Sequence, residues 1–435
     1  MPLDFRTARA GLHEDDVTRD VVVIAGKDPT LIDGGAESYL RAYGRAAMSA
    51  GYMPHHFCVS DKSEIKRTEF GMVHRTRSPF RPFRGLMVAA HQHYIVSAVE
   101  RFIGEAPSPV LIHSFGGWGG VGETIAERLR RRDIQCSTLI TAFGTYAHET
   151  KGKLRGLNFR KQTGVWLRYF WELIWTHLTV SPSERRGYRG AAFVLVNYGS
   201  VEQIINRQFG PGIRFKKMTY ASEMAFLRSH TPATVPQGID LLQPKEAPLV
   251  VAVSRHDPRK GLEILLRALG RLRMRGVGFR AALVGGGSLL DMHRELAKKL
   301  DLSDCVLIAG RVADAFSFLQ LAEIFVLPSL EEGSGSVSLL EAMQACAAPV
   351  ISRVDGLPED IVDAESGLLV EPGDIEDLTS CLERLLTRSD LRKSISTAAN
   401  DLYKRRFSAG AFAEDLLRIY SELGFPPFAE APVRG

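Results

Sequence analysis

The chain has 435 residues, with 55 Lys and Arg against 50 Asp and Glu, a formal net charge of +5, 45% hydrophobic and 24% charged residues, 40 glycines and 21 prolines. That composition belongs to a folded globular protein and excludes a disordered, collagen-like or coiled-coil chain, while the length calls for two or three domains, each able to bury a core. The charge is uneven: residues 1–240 carry 32 basic and 22 acidic side chains, residues 241–435 carry 23 and 28.

The N-terminal stretch is polar and mixed in charge, and no secretion leader is expected in it. Short apolar β-branched strands then alternate with helical periodicity: a strand at 21–24, a helix at 36–50, a strand at 110–112, a helix at 121–132 and a strand at 138–140. Strands apolar on both faces, separated by amphipathic helices, predict a parallel sheet covered on both sides. Two basic stretches interleaved with aromatic residues interrupt the alternation, 66–85 and 151–175. The second belongs to segment 151–180, which holds three of the four tryptophans, and 151–170 has six basic residues and no acidic one. Basic residues leading into an aromatic helix suit an anionic membrane surface; the alternative is a helix packed on the N-terminal sheet with a solvated basic flank. Neither stretch resembles a nucleic-acid module, and no nucleic-acid partner is expected.

Residues 229–248, with four prolines and little periodicity, read as a linker between an N-terminal domain, 1–228, and a C-terminal domain, 249–400. The strand series restarts there at 249–253, 281–284, 306–308, 324–327 and 349–351, and 401–435 forms a terminal amphipathic segment. The expected fold is α/β, with two Rossmann-like doubly wound domains facing each other across a cleft. Nowhere do about 18 apolar residues run together, so no spanning helix is predicted. The five cysteines, Cys58, Cys136, Cys305, Cys346 and Cys381, lack pairing or metal-ligand spacing and read as free thiols of a reducing compartment.

The second series carries the chemistry. Strand 249–253 runs into Ser254-Arg255-His256-Asp257-Pro258-Arg259-Lys260-Gly261, where Arg255 and Lys260 stand at a strand end beside a helix start at 261, a receptacle for a diphosphate. Gly285-Gly286-Gly287 follows the next strand without the GxGxxG spacing of a dinucleotide site; it lets backbone approach a ligand or makes a tight turn. After strand 324–327 come Glu331-Glu332, the loop Gly333-Ser334-Gly335-Ser336-Val337, and Glu341 in the following helix. Carboxylates at a strand end accept hydrogen bonds from sugar or ribose hydroxyls, and exposed loop N–H groups meet phosphate or sugar oxygens.

This ordered set, from VPQGID (235–240) through SRHDPRKG, LVGGGSLL, LIAGRV, FVLPSLEEGSGSVSLLEAM and SRVDGLPEDI to GLLVEPGDIEDL (367–378), resembles the family 4 retaining glycosyltransferases of the GT-B fold, glycosyl transferases group 1. By that resemblance Arg255 and Lys260 hold the donor diphosphate, the backbone at Arg311-Val312 meets the base, and Glu341 takes the ribose hydroxyls. Glu332 lies near the donor sugar, with Gly333, Ser334, Gly335, Ser336 and Val337 beside sugar and phosphate. The chain departs from the family in having eight residues rather than seven between Glu332 and Glu341, and Asp355-Gly356 where two glycines are common. In the N-terminal domain Gly34-Gly35 resembles the family's glycine pair before the first helix. Phe143 stands where the family places a histidine near the transferred sugar; His148 is the nearest replacement and His113 a rival, although a lone loop histidine is more often structural.

The resemblance implies transfer of a sugar from a UDP- or GDP-linked donor to a hydroxyl of a lipid-linked, polysaccharide or other glycan acceptor. Built-in cations make a metal unnecessary, and no cofactor is expected. The alternatives are a catalytically weak sugar-nucleotide-binding partner or scaffold subunit, suggested by Phe143 and the lengthened loop, and a GT-B nucleotide-sugar epimerase. The expected location is cytoplasmic, peripheral on the inner face of the cell membrane.

Overall fold

The computed structural model describes residues 19–31, 35–78, 87–104, 109–155, 163–227 and 235–427, without the side chains of 87–91 and 155. The chain divides into two compact units, one of residues 1–154, 159–226 and 409–435, the other of 155–158 and 227–408.

The first unit is built on an eight-stranded sheet. In chain order its strands are β1 (Arg19–Ile24), β2 (Tyr52–Ser60), β3 (Glu64–Thr68), β4 (Gly71–Arg77), β5 (Val110–Phe115), β6 (Cys136–Ala142), β7 (Phe193–Val196) and β8 (Phe215–Lys217). They lie in the order β3-β4-β2-β1-β5-β6-β7-β8, parallel except for the β3–β4 hairpin. Val22 and Ile24 on one face of β1 meet Ile95, Val99, Val121, Ile125 and Leu129 of helices Met87–Ile103 and Gly119–Arg130. The opposite face is covered by helix Gly35–Ser49 and the C-terminal helix Ala409–Glu422, whose Tyr43 and Tyr420 pack edge-on to His113 of β5. Cover on both faces explains why these strands read as continuous apolar runs.

Residues 66–77 of the first basic stretch span the β3–β4 hairpin, in which Lys66 and Arg67 are exposed and Arg75 is engaged by Asp28 at 2.7 Å and by Glu64. Residues 79–85 of that stretch lie outside the described residues, as do 156–162 and the linker residues 229–234. The aromatic segment forms helix Tyr146–Arg155, helix Thr163–Trp175 and a π turn, Thr176–Val180. Helix Thr163–Trp175 buries none of its residues, and Trp171, Trp175 and Leu178 are 58%, 48% and 67% exposed, so the alternative of a helix packed on the sheet is not what forms. Among the described residues no helix is long and apolar enough to cross a membrane. All five cysteines are free; Cys58, Cys305 and Cys381 are buried.

The second unit holds six parallel strands, β9 (Leu249–Val253), β10 (Arg280–Val284), β11 (Val306–Gly310), β12 (Ile324–Leu327), β13 (Ala348–Ser352) and β14 (Leu368–Val370), in the order β11-β10-β9-β12-β13-β14. Its core joins alternate residues of these strands to helices Leu262–Met274 and Ile375–Thr387 through Leu265, Leu269, Leu382 and Leu385.

Candidate functional site

β9 pairs with β10 on one side and β12 on the other, although β10 and β11 come between them in the chain. The connections after β9 and β12 therefore run to opposite sides, and their C-terminal loops part at the topological switch point where open α/β sheets bind ligands. Those loops are 254–261 and 328–336, the two segments singled out by their charged residues.

Local geometry aims Lys260 across this gap. Asp257 caps a single 3-10 turn, Pro258–Lys260, by accepting from the Arg259 N–H at 3.0 Å. Gly261 then turns with φ +61°, and a Cβ there would lie 1.9 Å from the Pro328 carbonyl oxygen, so only glycine lets the loops touch. The Leu330 N–H donates to the Arg259 carbonyl at 2.7 Å and ties them together. Lys260 Nζ consequently sits 2.7 Å from both carboxylate oxygens of Glu332. The Glu332 side chain is only 3% exposed and also accepts from Ser329 Oγ at 2.5 Å. A charge pair so far out of water persists because each partner is satisfied; removing either would strand the other.

The glycine loop packs against the same strand end. A Cβ on Gly285 would lie 2.0 Å from the Ser254 carbonyl oxygen, and one on Gly287 2.4 Å from that of His256. Of the two roles open to these glycines, backbone approach is what the geometry shows, and the backbone approached is the chain's own. His256 N–H donates to the Gly286 carbonyl and its carbonyl accepts from Leu289 N–H, both at 2.9 Å. Its fully buried ring lies 2.8 Å, Nδ1 to Nδ1, from His293, and burial pushes its pKa down to about 4.

The remaining residues of the second unit surround this crevice less tightly. Arg255 is largely exposed and pairs with Asp257 at 3.1 Å. Arg311 and Val312 follow β11, and the Arg311 Cβ lies 3.5 Å from where Gly286 would carry one. Gly333 and Gly335 hold φ of +78° and +80°, Ser336 precedes helix Val337–Gln344, and Ser336 Oγ lies 2.9 Å from Ser338 Oγ. Glu341, half-buried in that helix, sits close enough to Tyr403 for its charge to add to the burial that raises the tyrosine's pKa.

The first unit holds the other candidates. Gly34 lies outside the described residues, whereas Gly35 opens helix Gly35–Ser49 with nothing within 4 Å of an added Cβ. His113 is not presented to a ligand: it is fully buried, with Nδ1 2.7 Å from Tyr420 Oη and Nε2 2.8 Å from Thr141 Oγ1, and burial drives its pKa to about 3. Phe143 packs edge-on against Tyr39 at 4.9 Å. His148 is half-buried in the first turn of helix Tyr146–Arg155, its N–H bonded to Thr145 Oγ1 at 3.2 Å. Nearby Glu184 accepts from the Tyr146 N–H at 3.0 Å, and burial lifts its pKa to about 8.

Sequence reasoning missed Ser329, the His256–His293 pair and Asp355. Only Asp355 left a signal, as a residue with a side chain where glycine was expected.

Residues 239–402 match the family described as glycosyl transferases group 1. The chain is 29% identical over 245 residues to the alpha-D-kanosaminyltransferase of Streptomyces kanamyceticus, a match covering 56% of this chain and 63% of that protein. It is 33% identical over 150 residues to the GDP-mannose-dependent alpha-(1-6)-phosphatidylinositol monomannoside mannosyltransferase of Mycolicibacterium smegmatis, covering 32% of this chain and 39% of that protein. Both matches span less than two thirds of the relative's own length. Among solved structures, Anabaena HepE in complex with UDP is similar in fold over 93% of this chain and 100% of that one, with a TM-score of 0.65 and 16% identity.

Proposed function

Because residues 239–402 match the glycosyl transferases group 1, we propose that the protein moves a sugar from a nucleoside diphosphate sugar to a hydroxyl of a lipid-linked, polysaccharide or other glycan acceptor, with retention at the anomeric carbon. The observation that carries this reading is the Lys260–Glu332 pair at the switch point between β9 and β12, a cation and a carboxylate fixed within 2.7 Å where a ligand would enter. In this reading Lys260 and Arg255 stabilise the charge that builds on the leaving diphosphate, the largest contribution such a site can make. Glu332 and the 333–337 backbone meet the sugar, Arg311-Val312 the base and Glu341 the ribose. The bond from the anomeric carbon to the diphosphate breaks as that to the acceptor oxygen forms, and the acceptor proton passes to the leaving phosphate. No metal is invoked, because the cations belong to the chain.

The names of relatives support a donor of this class: one depends on GDP-mannose, and HepE was solved with UDP. On the acceptor side, the open space over Gly35 and His148 in its half-buried helix turn are the groups assigned to substrate. The phosphatidylinositol-linked acceptor in a relative's name, with the exposed aromatic face of 163–180 beside basic Lys151, Lys153 and Arg168, supports an anionic membrane as the surface on which the acceptor is met. The test is incubation with UDP- and GDP-sugars and a polyprenyl or glycan acceptor, following nucleoside diphosphate release. Acceptor-dependent release that Lys260→Ala abolishes is expected; undiminished release by Lys260→Ala overturns the assignment.

A further inference from the structure

Asp355 lies in the loop after β13, 23 residues beyond the residue it holds. Its Oδ2 accepts two successive backbone N–H groups, those of Glu332 and Gly333, each at 2.8 Å. Two adjacent N–H groups converging on one oxygen form a concavity suited to an anion, and the chain fills it with its own carboxylate. To reach them Asp355 adopts φ +45°, a conformation that disfavours most side chains and that aspartate and asparagine tolerate better than the rest. The Glu332 whose main chain is fixed in this way is the residue whose side chain grips Lys260.

We propose that Asp355 is a positioning residue for the diphosphate-binding lysine, acting through the main chain of Glu332; this rests on the functional reading above. Three points hold Glu332: Asp355 on its N–H, Ser329 on Oε1 and Lys260 on both oxygens. Of the three, the first alone grips the main chain, from the loop after β13, and it decides where the 331–335 loop stands relative to β9. Without it the main-chain ties to the Arg259 carbonyl stop at Leu330 and Glu331, short of Glu332, and the carboxylate that orients Lys260 can drift with the backbone. The role needs an acceptor oxygen at that φ and needs no negative charge.

Three full-length proteins separate this from a merely structural role: wild type, Asp355→Asn and Asp355→Gly. Asparagine keeps the acceptor and suits the conformation; glycine removes the acceptor and relieves the conformation, so the melting temperature of Asp355→Gly is expected close to that of wild type. In calorimetric titration with UDP and with GDP, Asp355→Gly is expected to bind about tenfold more weakly, or worse, because a displaced binding group loses its alignment. Asp355→Asn is expected within about threefold of wild type, since the amide oxygen takes the same two N–H groups. Hydrogen exchange of the peptide containing Glu332 and Gly333 should quicken in Asp355→Gly and not in Asp355→Asn. Wild type that binds neither nucleotide overturns the functional reading, whereas wild type that binds one and an Asp355→Gly variant that binds it equally well overturns this inference alone. Unchanged exchange in Asp355→Gly overturns it too, and tighter binding by Asp355→Asn would mean that the carboxylate competes with the nucleotide instead of arranging its site.

Discussion

Gly261 places the tightest steric demand on the crevice. Alanine there would meet the Pro328 carbonyl at 1.9 Å and hold φ +61°, so either the contact between the two loops or the turn itself has to yield. Gly261→Ala is expected to cost about 1–3 kcal/mol from the conformation alone and to weaken UDP or GDP binding with it. Thermal unfolding with and without nucleotide checks both. At this scale the sequence was legible where a charge or a glycine had an evident role, as with Lys260 and Glu332, which stand out by residue type and do meet. It was silent where the role depends on a distant partner. His113 read as a strand-end rival for the histidine near the sugar, but the ring points into the sheet's covered face and both nitrogens are engaged. Nothing local to the strand foretells that, because Tyr420 lies 307 residues away.

Among elements, helix Thr163–Trp175 departs most from what a soluble fold requires. An amphipathic helix ordinarily gains its stability by burying one face, and this one buries none of its residues, stacking Trp166 on Phe170 at 5.3 Å instead. Replacing Trp171 and Trp175 by serine removes ring area already in contact with solvent, so the melting temperature is expected to hold. Sedimentation with vesicles containing anionic lipid should fall severalfold, and loss of sedimentation at high salt would separate the basic contribution from the aromatic one. Equal sedimentation of the double variant would remove the membrane from the reading. In the other basic stretch alternating charged and apolar residues describe a hairpin as well as a basic surface, and 64–68 pairs with 71–77 while Lys66 and Arg67 stay exposed.

For the molecule as a whole, the strand alternation made both parallel sheets legible, while the hairpin and the return of the C-terminal helix to the first sheet depend on contacts across most of the chain. Buried histidines set the acid limit of the fold. His56, His74, His113 and His256 are all pushed below their ordinary 6.5, to about 4, 3, 3 and 4, chiefly by burial. The unfolded chain binds those protons first, so stability is full above about pH 6.5 and falls as pH drops towards 4. Glu184 works the other way: its folded pKa of about 8 lies above its ordinary 4.5, so its contribution is lost as pH rises through 8. His177 and His293 are lowered by burial too, and Glu123 is raised by it, so histidines dominate and the urea midpoint is expected highest near neutrality, with a steep acid side and a shallow alkaline one. A midpoint unchanged between pH 7 and 5 would contradict this.

Apart from residues 155–158, the second unit is a single stretch from 227 to 408, and its main apolar core lies wholly between Val250 and Ile395. Residues 235–408 made alone are therefore expected to unfold cooperatively, as calorimetry can show. The first unit is not continuous: Phe412, Leu416, Ile419 and Tyr420 are fully buried in it, and Asp415 holds Thr219 through its N–H at 2.9 Å and its hydroxyl at 2.6 Å. On a ribosome the order of completion therefore inverts the order of synthesis. The half translated first must wait, with Tyr43 and His113 uncovered, until the last helix emerges, and the half translated second is finished before it. Translation that stops before Ala409, or a protease that removes helix Ala409–Glu422 early, would thus injure the part of the first unit made earlier and spare the second unit made after it.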